Sequence, residues 1–388
     1  MKILIVGSDL NAFLLARYIK LQNNSHDIFL TTDEACYDDS YTPLNIKEND
    51  IYSIVDFVKY NQIEYTIVSS SIAIINGIAD KFKKENFPVF APFAEAARIT
   101  YFTSIAKKIM YKLKINTPKF GIFDRENLAA DYIRNAKFPI VIENDFTLLS
   151  RESNVYNSFS KAKLGIQKLF ENNNEKIVIE NYIDSPPIYV YFITDGYNAL
   201  PLISLDMSIN DNFTTITAPC IKISQDLIIS ILQKVIYPLL DDISKFANVY
   251  MGIVGLKIKL VKDSFYVLEF YNGFQDYHLQ AFLSLLDDNL LDILYNTTNG
   301  SIADSYECIN KLDGYSYTVI VNKKDLNNKE IEEDDLFMSE DKEKQIFTSV
   351  SSSVNGAKNK LFGFLEAVCF EKLIQDIKQS EEEKEIRI

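Results

Sequence analysis

The sequence predicts an α/β protein in which an N-terminal doubly wound parallel-sheet domain precedes a larger α+β region. Two observations carry that expectation. In the first 92 or so residues, buried-type runs (KILIV, DIFLTT, YTIVSS) alternate with amphipathic helical stretches, the signature of parallel βαβ units. Further on, strand-like runs come in pairs around short polar turns. YVYFITDGYNALPLISLD turns at Asp195-Gly196, and GLKIKLV and FYVLEFY turn at Lys262-Asp263-Ser264, so antiparallel hairpins are expected there.

The elements follow in order. KILIV runs into Gly7-Ser8-Asp9 and then a helix from about Leu10 to Leu21, for which Ser8 or Asp9 is the expected N-cap. Strand DIFLTT, helix IYSIVDFVKYN, strand YTIVSS, helix IAIINGIADKFKKEN and the short strand PVFA complete the first domain, 1–92. FAEAARI and TSIAKKIMYKLK have helical spacing. KFGIF, PIVIEN and KIVIENYI read as strands around a helix near Lys161–Asn172, and one long amphipathic helix is expected over about 225–248. A second domain, 93–314, therefore contains a subdomain at about 117–190. A small α+β domain, 315–388, holds strands YTVIV and KQIFTSVSS and a long helix ending in the charged tail EEEKEIRI, expected to be frayed and solvated. No internal repeat is visible.

Composition excludes several classes. The net charge is −14 with no evident basic patch, so a nucleic-acid partner is not expected. The four cysteines (Cys36, Cys220, Cys308, Cys369) form no CxxC pair, which fits a reduced, cytoplasmic setting rather than zinc or disulfides. No apolar stretch reaches membrane-spanning length, and MKILIVGSD lacks the features of a signal peptide, so no membrane insertion is expected. Only 12 of 388 residues are glycine, under half the usual share of about 7%. Phosphate-wrapping loops need glycine so that backbone N–H groups can approach the ligand, and few such loops can be built here. Gly7 alone is not a dinucleotide fingerprint and reads as a turn glycine. His26 and His278, the only histidines, form no nucleophile–base pattern and read as surface or packing residues. The acidic clusters DEACYDD, EEDD and DLLDD lack calcium-loop spacing.

Three longer stretches are distinctive: MKILIVGS, GIADKFKKENFPVFAPFAEAARI with SIAKKIMYKLKINTPKFGIF, and VYMGIVGLKIKLVKDSFYVLEFYNGFQDYHLQAFLSLLDDNLLDIL. They resemble the glycinamide ribonucleotide synthetase (phosphoribosylamine–glycine ligase) family of ATP-grasp enzymes. The resemblance covers nearly the whole chain. It implies an ATP-grasp architecture with a lid at about 117–190, and the family's chemistry would call for ATP, magnesium, phosphoribosylamine and glycine.

The positions that would carry this chemistry depart from the family pattern. The two phosphate-binding lysines correspond to Thr103, beside Phe102, and to Glu143 in VIENDF, where the family has VIKADG. Glutamate in place of lysine beside a triphosphate turns attraction into repulsion, on the order of several kcal/mol. The glycine-rich lid loop becomes FTLLSRES, with Arg151 as the one remaining candidate anion contact. The adenine hinge corresponds to VIENYIDSPPIYV, with Pro187 near the position of the ribose-binding Glu. The magnesium motif EFN becomes EFY. Glu269 is retained as the one family-type metal ligand, Tyr271 replaces Asn, and Gly273 stands where the family has Arg. Lys257, on the adjacent strand, is expected either to pair with Glu269 and fill the metal site with a fixed charge or to point to solvent. SDLNA and SSSIAI replace the substrate loops, and INDNFTTITAP, over 209–219, reads as a compressed loop.

The leading expectation is a non-catalytic binding protein, a pseudoenzyme of this fold. It has no expected cofactor and acts by binding an unidentified protein or small-molecule partner. A divergent but active ligase using ATP and magnesium is the alternative, and a different ATP-grasp activity using Arg151 or Lys257 is a third reading.

Overall fold

A computed structural model describes residues 1–32, 39–148, 153–172, 175–262, 264–275, 277–326, 337–340, 343–369 and 371–386. Arg151 lies outside the described residues.

The first sheet is parallel, with strand order β3-β2-β1-β4-β5. Its strands are β1 (Lys2–Val6), β2 (Asp27–Leu30), β3 (Thr42–Pro43), β4 (Tyr65–Val68) and β5 (Val89–Phe90). Helices α1 (Leu10–Gln22), α2 (Ile51–Asn61), α3 (Ser71–Ile75) and α4 (Ile78–Glu85) connect them. Ile3, Leu4, Ile5 and Val6 are fully buried, as a parallel strand covered on both faces requires. Asp9 caps α1 by accepting from the Ala12 N–H. Gly7 proves to be a packing glycine, since a Cβ there would lie 2.0 Å from the Ser69 hydroxyl.

Helices α5 (Ala94–Tyr101) and α6 (Thr103–Lys112) lead to a four-stranded antiparallel sheet of order β6-β9-β7-β8. It comprises β6 (Phe120–Phe123), β7 (Ile140–Asn144), β8 (Ser153–Tyr156) and β9 (Ile177–Asn181), backed by α7 (Glu126–Ile133) and α8 (Phe159–Glu171). Contrary to the expectation of no repeat, β7 and β9 carry the same pentapeptide, IVIEN, and they pair with each other. Because side chains alternate along a strand, the four isoleucines fall on one face. They form a separate core for this sheet with Ala129, Ile133, Ala162, Ile166 and Leu169. Val141, Glu143, Val178 and Glu180 share the opposite face.

The third sheet has eight strands in the order β14-β13-β10-β11-β12-β15-β17-β16. Its members are β10 (Pro187–Thr194), β11 (Ala199–Ile209), β12 (Phe213–Ala218), β13 (Gly252–Val261), β14 (Ser264–Asn272), β15 (Tyr315–Asn322), β16 (Phe337–Glu340) and β17 (Lys344–Ser351).

Three expectations change here. The segment expected as a compressed loop over 209–219 contains β12, which pairs with both β11 and β15; FTTITA is rich in β-branched residues that suit a central strand. The helix expected over 225–248 is shorter and has a π-helical turn, Leu232–Ile236, between Gln225–Ile231 and Tyr237–Ser244. That turn immediately precedes Pro238 in the next helix, where proline has no N–H to continue the regular ladder. The charged tail is helical to Ile386, and its first residue, Glu381, is buried against Lys358 and Thr215 rather than solvated.

Candidate functional site

Strands β7 and β9 present their Glu143/Glu180 face to helix α6 and the end of β14. Lys107 falls on the buried side of α6, four residues after Thr103 and three before Met110, and its side chain is fully inaccessible. Its ammonium sits 2.5 Å from Glu180 Oε2, a close ionic contact. It also donates to Thr117 Oγ1 at 3.1 Å and to the Leu268 carbonyl at 3.0 Å. Burial raises the Glu180 carboxyl pKa, nearby Lys107 opposes that rise, and the neighbouring Glu143 adds to it. Lys257 also acts electrostatically on Glu180, so this pair belongs to a wider network.

Lys257 of β13 faces Glu269 of β14 across the antiparallel ladder, and its ammonium lies 3.0 Å from Glu269 Oε1. The other carboxylate oxygen accepts from the Tyr271 phenol at 2.5 Å. Glu143 is buried and accepts from the Ser153 hydroxyl at 2.8 Å. Glu143, Glu180, Glu269 and Lys107, all buried, and the half-buried Lys257 therefore form a cluster of three carboxyls and two ammonium groups, which spans the four-stranded sheet, α6 and the eight-stranded sheet.

The start of α6 is also filled by the chain itself. Asp145 accepts from the Ser104 N–H at 2.7 Å and from its hydroxyl at 2.9 Å, so its carboxylate meets the positive end of the helix. Phe102 and Phe146 cover this junction with ring centroids 5.0 Å apart. In the connection between β9 and β10, the Ile183 carbonyl accepts from Lys259 at 2.7 Å, and the same ammonium lies 4.7 Å over the Tyr182 ring.

Tested against ATP and magnesium, these residues fit neither. A divalent cation needs several hard oxygen donors. Here Glu269 already holds the Lys257 ammonium and the Tyr271 phenol. A nucleotide needs phosphate donors and a hinge carbonyl for the base. Glu143 is an acceptor, Thr103 carries no charge, and the Ile183 carbonyl is engaged by Lys259.

His278 packs against Tyr189 and Tyr191 of β10 and shares a cavity with Tyr271, fully buried, with Nδ1 2.7 Å from the Tyr191 hydroxyl and Nε2 3.2 Å from Met207 Sδ. Burial lowers its pKa to about 3. His26 packs near the N-terminus, with Nδ1 3.4 Å from the terminal amine. Among the described residues no group of three or more His, Cys, Asp or Glu is arranged to hold a metal ion, and no helix is long and apolar enough to cross a membrane.

Sequence reasoning brought Lys257, Glu269, Tyr271 and Glu143 to attention but missed Lys107 and Glu180. Two signals pointed to them. Lys107 interrupts the apolar face of α6 at helical spacing, and the second IVIEN copies the first at Glu143.

A model described as phosphoribosylglycinamide synthetase, N domain, matches residues 1–100. A second, described as phosphoribosylglycinamide synthetase, ATP-grasp (A) domain, matches residues 103–278. The phosphoribosylamine–glycine ligase of Caldanaerobacter subterraneus subsp. tengcongensis is 25% identical over 316 residues, covering 78% of this chain and 76% of that protein. The enzyme of the same name from Fusobacterium nucleatum is also 25% identical, covering 77% and 74%. Among solved structures, phosphoribosylamine–glycine ligase from Thermotoga maritima superposes with a TM-score of 0.76 at 17% identity, covering 96% of this chain and 98% of that one. A biotin carboxylase from Campylobacter jejuni, in a β,γ-ATP complex, gives 0.73 at 16%, covering 95% and 91%.

Proposed function

Because the chain is a phosphoribosylglycinamide-synthetase-like ATP-grasp protein, we propose that it is a non-catalytic member of that group. In this reading its nucleotide and magnesium positions have been rebuilt into structural contacts, and it acts by binding a partner. The observation that carries the reading is the Lys257–Glu269–Tyr271 arrangement. The retained metal-type carboxylate is neutralised from within the chain, on the strand face where the family places its EFN motif. Glu143 and the Lys259–Ile183 contact support the same reading at the phosphate and base positions.

The test is thermal unfolding of the protein with and without millimolar Mg·ATP, repeated with ADP and AMP. A ligand that binds only the native state at 100 times its dissociation constant adds about 2.7 kcal/mol, which raises the midpoint by several degrees. The expected result is no shift with any of the three. A magnesium-dependent shift overturns the proposal and favours the reading that the ligase relatives suggest, an active phosphoribosylamine–glycine ligase. Turnover of ATP with glycine and phosphoribosylamine would then be measured directly.

A further inference from the structure

A groove of about 970 Å³ lies apart from the ion cluster, where α6 leads into β6. Lys108 and Tyr111 of α6, Lys114 and Lys119 of the connection, Phe120 of β6 and Tyr132 of α7 are among the residues that line it. The three lysines are exposed, and no aspartate or glutamate occurs among the described lining residues. Among the described residues none of the three forms an ion pair. Tyr111 is 78% exposed and Tyr132 40%. A local concentration of positive charge and aromatic surface therefore stands on a chain whose net charge is −14.

A sheet edge begins at the same place. Strand β6 ends its sheet and pairs only with β9, in a register that sets Phe120 opposite Glu180. One residue earlier, the Asn181 N–H donates to the Lys119 carbonyl at 2.9 Å. Hydrogen-bonded and non-hydrogen-bonded pairs alternate along an antiparallel ladder. Gly121 and Phe123 therefore bond to β9, while the N–H and C=O groups of Phe120 and Ile122 point to the other side. Among the described residues no further strand takes them up. An edge of this kind is a template for an added strand, in which main-chain hydrogen bonds supply affinity and side chains supply selectivity.

The two features together narrow the occupant. The lysines call for several negative charges, and the edge calls for a polypeptide backbone in extended form. A single-stranded nucleic acid could meet the lysines and stack on the tyrosines, but it has no backbone that completes a β-ladder. Its charge would also continue past the groove over a surface that is negative on balance. A small anion would leave the edge open.

We infer that this groove is a docking site for an acidic, extended peptide segment of a partner protein. The segment adds a strand beside β6, and its carboxylates meet Lys108, Lys114 and Lys119. This gives a partner class to the binding role proposed above without resting on an inactive cleft, since none of the six residues belongs to the ion cluster. Peptide titration reads the groove and Mg·ATP unfolding reads the cleft, so either can fail alone.

The test is fluorescence anisotropy of the full chain with fluorescein-labelled peptides, paired with amide hydrogen exchange. The probes are EVEVEVE, the same peptide with lysine for each glutamate, and EVEPEVE, in which proline removes one backbone N–H at unchanged charge. Single-stranded oligothymidylate is the nucleic-acid probe. EVEVEVE is expected to bind, more tightly at low salt, and to slow exchange at the Phe120 and Ile122 amides. Its affinity should fall about three- to tenfold in the double variant Lys108→Gln, Lys119→Gln, as for loss of two exposed charge contacts. EVEPEVE should bind more weakly than EVEVEVE, and the lysine peptide and oligothymidylate should not bind. No binding of EVEVEVE at millimolar peptide, or an unchanged affinity in the double variant, would overturn the inference. So would equal binding of EVEPEVE with both amides unprotected, or oligothymidylate binding as tightly as EVEVEVE. Protection of those amides that grows with protein concentration in the absence of peptide would assign the edge to a second copy of this chain instead.

Discussion

Lys107 is the residue on which the interior of the site depends. An ammonium with no solvent access needs a nearby negative charge, and Glu180 supplies it at 2.5 Å. Removing one member of such a pair leaves the other buried and uncompensated, at a cost of about 3–5 kcal/mol. Glu180→Gln is therefore expected to lower stability by that amount in urea unfolding. The double variant Lys107→Met, Glu180→Leu should recover most of it, since apolar residues of similar volume often replace a buried pair without loss. Equal losses in the single and double variants would show that the pair is not the unit that matters.

At the scale of elements, close approach between chain segments decides which residues fit. The turn from β1 into α1 passes so near β4 that a Gly7 Cβ would meet the Ser69 hydroxyl at 2.0 Å and the Ala12 methyl at 3.1 Å. Gly7→Ala is expected to cost about 1–3 kcal/mol, the usual range for overpacking. Adding Ser69→Ala removes the nearer atom and should return part of that loss in thermal unfolding. The same logic governs β7 and β9. Their alternation sends the four isoleucines of the repeated IVIEN to the core between this sheet and its helices, and both glutamates to the opposite face. The sequence alone marked these strands, and pairing fixed which face each carboxylate takes.

Across the whole molecule, buried titrating groups set how stability responds to pH. The pKa of His278 falls from 6.5 when unfolded to about 3 when folded, because burial disfavours the imidazolium. The unfolded chain therefore binds a proton that the folded chain refuses, and stability is lost as pH falls from 6.5 towards 3. Glu180 works in the opposite sense. Its pKa is raised by burial, so the folded form holds a proton longer, and that contribution is lost as pH rises above the ordinary carboxyl range. The two effects overlap, so the informative quantity is a difference. Between pH 6 and 4, the wild-type unfolding free energy should drop more steeply than that of His278→Gln, by up to about 1.4 kcal/mol per pH unit. Parallel slopes would show that His278 titrates alike in both states.

Local pattern by itself determined the N-terminal parallel sheet, the hairpins at Asp195-Gly196 and around Lys262, and the departure from family-type residues at Glu143 and Tyr271. Each of these rests on neighbours in the chain: apolar periodicity, turn chemistry or one motif set against another. Tertiary structure decided what the sequence could not: that FTTITA becomes a central strand between β11 and β15, that Glu381 is buried, and that Lys107 and Glu180 meet. The physical reason is the same in all three. A β-branched run becomes a strand only when partners on both sides accept its hydrogen bonds. A charged side chain can leave water only when a distant segment brings the opposite charge to it. Apart from β11, which adjoins β12 in the chain, those partners lie tens of residues or more away, beyond the reach of any local pattern.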